Sequence, residues 1–186
     1  MDNLADEYLL EQYAESGEMR YFDALIRRYI GKVRAMIYPM VLNDADADEL
    51  TQDVFMRVVN GIHAFDRRAS FSTWLHRITM NTTYNFLKRR KRNPVEDREC
   101  LPDMPAAREW NPTETVIGLE SDARVSKALE SLSPPMRAAI VLTAINGLSM
   151  KDAAKAERCL MATMYWRVHQ ARKLLRAVLS KENVDS

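Results

Sequence analysis

The sequence predicts an all-α fold in which two small helical domains are joined by an acidic, proline-rich linker, the second domain being a helix-turn-helix. Apolar residues recur every three to four positions through most of the 186 residues, and no stretch alternates with period two for long enough to argue a strand. Residues 93–115 carry four prolines among acids and no apolar period, a composition typical of a linker. We therefore place the domains at residues 1–93 and 123–186 and the linker at residues 94–122.

Four helices are predicted in the first domain. The apolar faces of the first three are formed by Leu4, Tyr8, Leu9 and Tyr13, by Phe22, Leu25, Ile26, Tyr29, Ile30, Val33 and Ile37, and by Leu50, Val54 and Val58. The first helix should end near Ser16-Gly17, and Pro39 should stop the second. Ser72 is expected to cap the fourth helix.

The fourth helix, Phe71 to Arg92, has two distinct faces. Its buried side, an arc of about 80° at about 100° per residue, is formed by Leu75, Ile78, Thr82 and Phe86. A separate arc holds aromatic, amide and basic side chains, namely Trp74, Arg77, Asn81, Tyr84, Asn85 and Lys88. Amides bond base edges, aromatic rings stack on unpaired bases and cations neutralise phosphates. The helix is therefore either a nucleic-acid contact or a core helix with a solvated basic end.

The second domain has the helix lengths of a helix-turn-helix. After a first helix with Val125, Leu129 and Leu132, Ser133-Pro134 starts a second, which Gly147 breaks. A capping box at Ser149 to Asp152 then opens a short helix that ends at Ala156.

The last predicted helix runs from about Met161 to Leu179 and presents a basic, aromatic face. Its apolar face is formed by Met164, Val168, Ala171, Leu175 and Val178. Insertion into a major groove needs cations for the flanking phosphates and N-terminal side chains for base edges, and the opposite face supplies both kinds of group. An ordinary three-helix bundle with a basic exterior is the alternative.

Composition narrows the class of protein. Hydrophobic residues make up 47% of the chain and charged residues 28%, as in a soluble globular protein. There is no run of eighteen apolar residues and the N-terminus is acidic, so we expect a cytoplasmic protein without membrane insertion. Cys100 and Cys159 are isolated, as are His63, His76 and His169, so we expect free thiols and no metal site. With no glycine-rich phosphate loop and no nucleophile motif, neither an enzyme nor a cofactor is expected.

The net charge of +1 hides four alternating blocks. Acids and bases give −6 over residues 1–65 (12 against 6), +7 over 66–92 (1 against 8), −6 over 93–122 (8 against 2) and +6 over 123–186 (5 against 11). Such an alternation favours a protein that binds a polyanion and a second partner at once.

Several motifs, taken in order, resemble one family. They are FDALIRRY, DADELTQDVFMRV, AFDRRASFSTWLHRITMN followed by a basic run, ALESLSPPMRAAIVL, GLSMKDAA and RVHQARKLLR. Between Phe22 and Leu179 the chain is similar to bacterial RNA polymerase sigma factors of the extracytoplasmic-function (ECF) group, which keep only conserved regions 2 and 4. The resemblance implies an alternative sigma factor. Its residues 1–93 would dock on core polymerase and recognise and melt the minus-ten element, and residues 123–186 would recognise the minus-thirty-five element.

The resemblance also implies where the partners bind. The largest subunit's clamp helices would contact Asp48, Glu49, Gln52, Asp53, Met56 and Asn60, and the polymerase flap would contact the second domain. A merely solvated acidic face would leave Met56 unexplained. The linker would thread through the polymerase, where its negative charge can mimic nucleic acid, although a simple tether would have the same composition. An anti-sigma factor is a further implied partner.

The DNA-contacting residues follow by position. For the minus-ten element they are Trp74, Arg77, Asn81, Tyr84, Asn85, Lys88, Arg89, Arg90, Lys91 and Arg92, with Asn81 matching the family's characteristic asparagine. Trp74 matches its tryptophan or is mainly a core residue. For the minus-thirty-five element they are Thr163, Tyr165, Trp166, Arg167, His169, Arg172, Lys173 and Arg176.

The chain departs from the family pattern in the helix-turn-helix. Arg158 stands where a glycine is common in the turn, and Tyr165-Trp166 replaces a small or basic pair. An arginine has no easy access to positive φ, and the bulky pair cannot make bidentate guanine contacts. The pair could instead pack against an anti-sigma factor. Two other classes stay open, namely a helix-turn-helix regulator that acts without polymerase and an adaptor built from helical bundles.

Overall fold

The computed structural model describes residues 5–65, 67–92 and 123–182, and across these ranges it is helical, with no strand. The predicted linker, residues 94–122, and Leu4 lie outside the described residues. The helices are α1 (Asp6–Ser16), α2 (Met19–Val41), α3 (Asp44–Gly61), α4 (Phe71–Arg92), α5 (Ala123–Glu130), α6 (Pro134–Ile140), α7 (Met150–Ala156) and α8 (Met161–Glu182). The all-α prediction is confirmed. No helix among the described residues combines the length and apolar character needed to cross a membrane.

Helix α2 is the central element of the first half, and its predicted end was wrong. It continues through Pro39 to Val41 and ends where Leu42 adopts φ 56°, its N–H donating to the Tyr38 carbonyl at 2.7 Å. Proline removes one backbone donor and crowds the carbonyl four residues earlier. The surrounding burial of Met36, Ile37 and Met40 nevertheless holds this last turn in place.

Helices α1, α3 and α4 pack against α2 around one core. Most residues of the predicted apolar faces lie inside it, with Leu9, Phe22, Leu25, Leu50, Val54 and Leu75 at most 1% exposed. Tyr8, predicted to belong to the apolar face of the first helix, is instead 44% exposed. Helix α4 begins two residues earlier than a cap at Ser72 would place it, because Ser70, not Ser72, accepts the Thr73 N–H at 3.3 Å.

The second half follows the predicted order with one unexpected segment. Ser149 accepts the Asp152 N–H at 3.1 Å and its hydroxyl donates to the Asp152 carboxylate at 2.6 Å, which confirms the capping box. Gly147 adopts φ 68°, as a helix-breaking glycine should. Between α6 and this turn, Val141–Ile145 form a π-helical segment whose Val141 and Leu142 are fully buried. Apolar periodicity did not predict that widened turn, because its composition is that of an ordinary helix.

The two halves are in contact. Helix α2 packs against α6 and the π-helical segment, and α4 packs against α7. Arg137 of α6 donates from Nη1 to the carbonyl of Met40, at 2.9 Å. That carbonyl lies in the last turn of α2, where no intrahelical donor is available. The contact brings α4 beside the helix-turn-helix.

Candidate nucleic-acid interface

Helix α4 presents the amide part of its predicted stripe to solvent. Asn81, Asn85 and Lys88 are exposed, whereas Leu75, Thr82 and Phe86 on the opposite side are buried. Ile78, predicted to be buried, is only partly so. The helix thus offers two free amides one turn apart, at the spacing that places residues i and i+4 on one face.

Trp74 belongs largely to an aromatic cluster of the first half. Its ring centroid lies 5.1 Å from that of Phe65 and 5.9 Å from that of Phe71. A Cβ added at Gly61 would stand 3.4 Å from Trp74 Cζ2, an ordinary van der Waals distance, so the indole lies directly against the end of α3. The indole remains half-buried, with one part in the core and one part at the surface.

Besides Thr82, three polar residues of α4 are buried, which the apolar pattern did not indicate. The hydroxyls of Thr79 and Thr83 donate to the carbonyls of Leu75 and Thr79, each at 2.9 Å, and so satisfy themselves within the helix. His76 has no such internal partner. Burial, aided by the positive charge of Lys32, lowers its pKa to about 4, with Asp152 opposing. The imidazole is therefore neutral at physiological pH.

The basic end of α4 is exposed from Lys88 to Arg92. One member reaches back to α3, because Arg90 Nη1 lies 2.8 Å from Asp46 Oδ2. Arg77, further up the helix, is partly buried. Exposed cations at this density suit phosphate contacts, which carry no sequence information.

A buried carboxylate joins α4 to the helix-turn-helix. The Tyr84 hydroxyl donates to Glu157 Oε2 at 2.8 Å, and Arg167 Nη1 lies 3.2 Å from the same oxygen. The Glu157 side chain is only 4% exposed. Its burial raises its own pKa, and burial beside this carboxylate raises the pKa of Tyr84. Both predicted DNA contacts, Tyr84 and Arg167, therefore have a protein partner here, and their role at DNA stays a prediction.

The turn before α8 keeps its geometry without glycine. Arg158 adopts φ 50°, while Cys159 N–H donates to Ala154 at 3.0 Å and Arg158 N–H to Lys155 at 3.3 Å. This nested pair of bonds is the Schellman ending, which usually has glycine at the left-handed position. Arg158 in place of the family's common glycine therefore changes the energy of the turn but leaves its hydrogen-bonding pattern intact.

Helix α8 exposes the residues predicted to face DNA. His169, Arg172, Lys173 and Arg176 are exposed and Thr163 is partly so, opposite the buried Met164, Val168 and Ala171. Tyr165 and Trp166 are 54% and 55% exposed. Leu160 and Met161 are also exposed, at 76% and 51%, so the start of α8 forms an apolar surface that the sequence pattern did not single out.

A polar face lies on α3, away from the core. Asp48, Glu49, Gln52, Met56 and Asn60 are exposed and Asp53 is partly so. Met56, on the same face, is 63% exposed. Arg34 of α2 pairs with Asp48 at 2.7 Å and with Asp44 at 2.5 Å, which fixes the N-terminal part of this face.

Within the described ranges, no group of three or more His, Cys, Asp or Glu side chains is placed so that it could hold a metal ion. Cys159 is a free thiol whose pKa is raised by burial. Cys100 lies outside the described residues.

Comparison with known proteins follows the same division of the chain. Residues 25–93 match the family description Sigma-70 region 2, and residues 122–175 match Sigma-70, region 4. The ECF RNA polymerase sigma factor SigE of Mycolicibacterium smegmatis is 31% identical over 92% of this chain and 66% of its own length. The RNA polymerase sigma-H factor of Pseudomonas aeruginosa is 29% identical over 91% of each chain.

A solved structure shares the fold. CnrH, in complex with the cytosolic domain of CnrY, has a TM-score of 0.71 and 27% identity to this chain, covering 95% of this chain and 97% of CnrH. Two region matches in family order, the identities to named sigma factors and the helical architecture lead to one conclusion. The chain belongs to the ECF group of the sigma-70 family of RNA polymerase sigma factors.

Proposed function

We propose that this chain is an alternative sigma factor that binds core RNA polymerase and directs promoter-specific transcription initiation. The observation that carries the proposal is the order of the two region matches, region 2 over residues 25–93 and region 4 over residues 122–175. The region 2 match contains α4 and the region 4 match contains most of α8. Both helices expose side chains that can contact DNA bases. The proposed domains are residues 1–93 and 123–186, with residues 94–122 as the linker.

Each exposed surface then has a partner. The polar face of α3 around Met56 docks on the clamp helices of the largest polymerase subunit, and the second domain meets the flap. Helix α4 holds unstacked bases of the minus-ten element through Asn81 and Asn85, while its basic end contacts phosphates. Unstacking a base costs a few kcal/mol, which amide bonds and stacking must offset. Helix α8 contacts the minus-thirty-five element.

The protein performs no covalent chemistry in this proposal and works in the cytoplasm, where polymerase and promoter DNA are found. An anti-sigma factor is a further proposed partner, and CnrH, which shares the fold, is seen in complex with the cytosolic domain of another protein, CnrY. The exposed apolar surface at the start of α8, which includes Tyr165 and Trp166, offers a place where such a protein can bind. A helix-turn-helix regulator acting without polymerase would use α8 and leave the amides of α4 and the face of α3 unused.

Run-off transcription with purified core polymerase separates these functions. The template is a library of promoter regions from the protein's own genome, and the products are sequenced to locate start sites. We expect discrete new start sites that require both core and this protein. Gel shifts without core provide the comparison, since a regulator would shift DNA alone. An adaptor would yield neither new transcripts nor a shift.

A further inference from the structure

Four apolar side chains are exposed where α8 begins. Of the nine large hydrophobic residues that are exposed in the described part of the chain, four lie between positions 160 and 166. They are Leu160, Met161, Tyr165 and Trp166, and each is more than half exposed. Apolar side chains gathered on the surface of a soluble domain mark a contact with another molecule. The chemistry around these four side chains indicates which molecule that is.

The surroundings of this apolar cluster are basic. Met161, Tyr165 and His169 follow one another at intervals of four residues on α8 and so share a face. Exposed cations continue that face toward the C-terminus, beginning at Arg172. Helix α8 carries no acidic residue before its last position. Duplex DNA presents phosphates on both sides of its major groove, so charge complementarity favours DNA as the occupant of this surface.

The start of α8 offers no free guanidinium for reading guanine. Arg167 is the single cation among residues 161–168. Its Nη1 lies 3.2 Å from Glu157 Oε2, and its side chain is only 20% exposed. The exposed cations of α8 begin at His169, about two turns from the N-terminal end that meets base edges in a recognition helix. The exposed side chains at the base-reading end are therefore mainly apolar or aromatic.

We propose that α8 reads thymine methyl groups in the minus-thirty-five element, with Tyr165 and Trp166 as the specificity-determining residues. The inference deepens the proposed function and rests on it for the identity of the element. In the major groove thymine carries an apolar group, the C5 methyl, and guanine carries only acceptors. The rings of Tyr165 and Trp166 cover such methyl groups, and Leu160 and Met161 extend the apolar contact. The element therefore contains thymines where a basic pair would select guanines.

Base analogues test this contact without changing base pairing. Duplexes are selected from a randomised library by the full chain, once alone and once with core polymerase. Deoxyuridine then replaces each selected thymine in turn, which removes only its methyl group. We expect about a fourfold lower affinity at each contacted thymine, the effect of losing one buried methyl group. Replacement of guanine by 7-deazaguanine, which lacks the N7 acceptor, detects guanine reading by Arg158 or Arg167 and should have little effect.

Protein variants assign the contact to its side chains. Tyr165→Ala and Trp166→Ala should each abolish the deoxyuridine effect at the thymine that the lost ring contacts and keep it at the other thymine. Both residues are exposed, so circular dichroism should be unchanged. Leu174→Ala is the matched control, because it removes an exposed apolar side chain nine residues after Tyr165, on the opposite side of the helix. This variant should keep the full deoxyuridine effect.

The outcomes separate thymine reading from the proposed function. Selected duplexes that keep their affinity with deoxyuridine, or that respond to 7-deazaguanine instead, would overturn thymine reading and leave the exposed side chains to a protein contact. A deoxyuridine effect that survives in both Tyr165→Ala and Trp166→Ala would overturn it as well. The expected effects in a chain that initiates no transcription with core would support thymine reading and refute the proposed function. A chain that selects no duplex, alone or with core, would refute both.

Discussion

Asn81 is the side chain expected to carry most of the selectivity of α4. It is exposed and fully polar, on the face opposite the buried Leu75 and Phe86. Asn81→Ala should abolish initiation while core binding is retained, because an exposed amide contributes to a base contact and little to folding. Run-off yield and affinity for core, measured on the same preparation, check this. Equal loss of both activities would make Asn81 a structural residue.

Arg158 holds the turn before α8 in a conformation that favours glycine. A left-handed non-glycine residue costs about 1 to 2 kcal/mol. Arg158→Gly should therefore raise the free energy of unfolding by about 0.5 to 1 kcal/mol, after the extra freedom of glycine in the unfolded chain is subtracted. Denaturant unfolding measures the change. Arg158→Ala removes the same side chain without relaxing φ and should give no gain, so an equal gain in both variants would refute the backbone explanation.

His76 makes stability depend on pH. Its pKa falls from 6.5 to about 4 on folding because the imidazole is buried, with Lys32 of α2 adding to the shift and Asp152 of α7 opposing it. Above pH 6.5 neither state is protonated, and between pH 6.5 and about 4 only the unfolded chain takes up the proton. Neutral His76 therefore makes its full contribution to the free energy of unfolding at neutral pH. Acidification lowers the free energy of unfolding by up to about 3 kcal/mol through this group.

The comparison with His76→Gln isolates this effect, because Glu157, whose pKa is raised by burial, acts in the opposite direction in both proteins. Unfolding curves from pH 7 to pH 4 should show the wild type losing stability relative to the variant. Parallel pH profiles would show that His76 is not the group responsible.

At the scale of elements, α3 supplies a surface that the core does not use. Met56 is 63% exposed on the polar face of this helix. Met56→Ala should weaken binding to core polymerase by about tenfold, the effect of removing one well-buried interface side chain. Arg57, exposed beside it on α3, is the matched control, and Arg57→Ala should bind as the wild type does. Equal affinities for all three proteins would exclude Met56 from the interface.

The periodic spacing of apolar residues predicted the helices well wherever that spacing alone defines their buried face. The faces built on Leu9, Phe22, Leu50 and Met164 are buried as expected. The end of α2 could not be predicted, because local proline chemistry favours a stop and tertiary burial of the last turn overrides it. The π-helical segment Val141–Ile145 has no sequence signal of its own.

The candidate site was predictable only in part. Exposure of Asn81, Asn85 and the basic run follows from the helical wheel, since it depends on one helix. The partners of Tyr84 and Arg167 do not follow from it, because Glu157 comes 73 residues after Tyr84 in the chain. The half-burial of Trp74 likewise depends on Phe65 and Gly61, which lie outside its helix. Contacts between helices depend on tertiary packing, and the apolar periodicity of a single helix does not predict that packing.

For the whole molecule, the central claim is that this chain opens promoter DNA only as part of polymerase. Permanganate, which oxidises unpaired thymines, tests it on a promoter found by run-off transcription, with the protein alone, core alone and both together. We predict thymine reactivity around the minus-ten element with both present and none with either component alone. Reactivity produced by the protein without core, or duplex binding that never becomes reactive with core, would contradict the account.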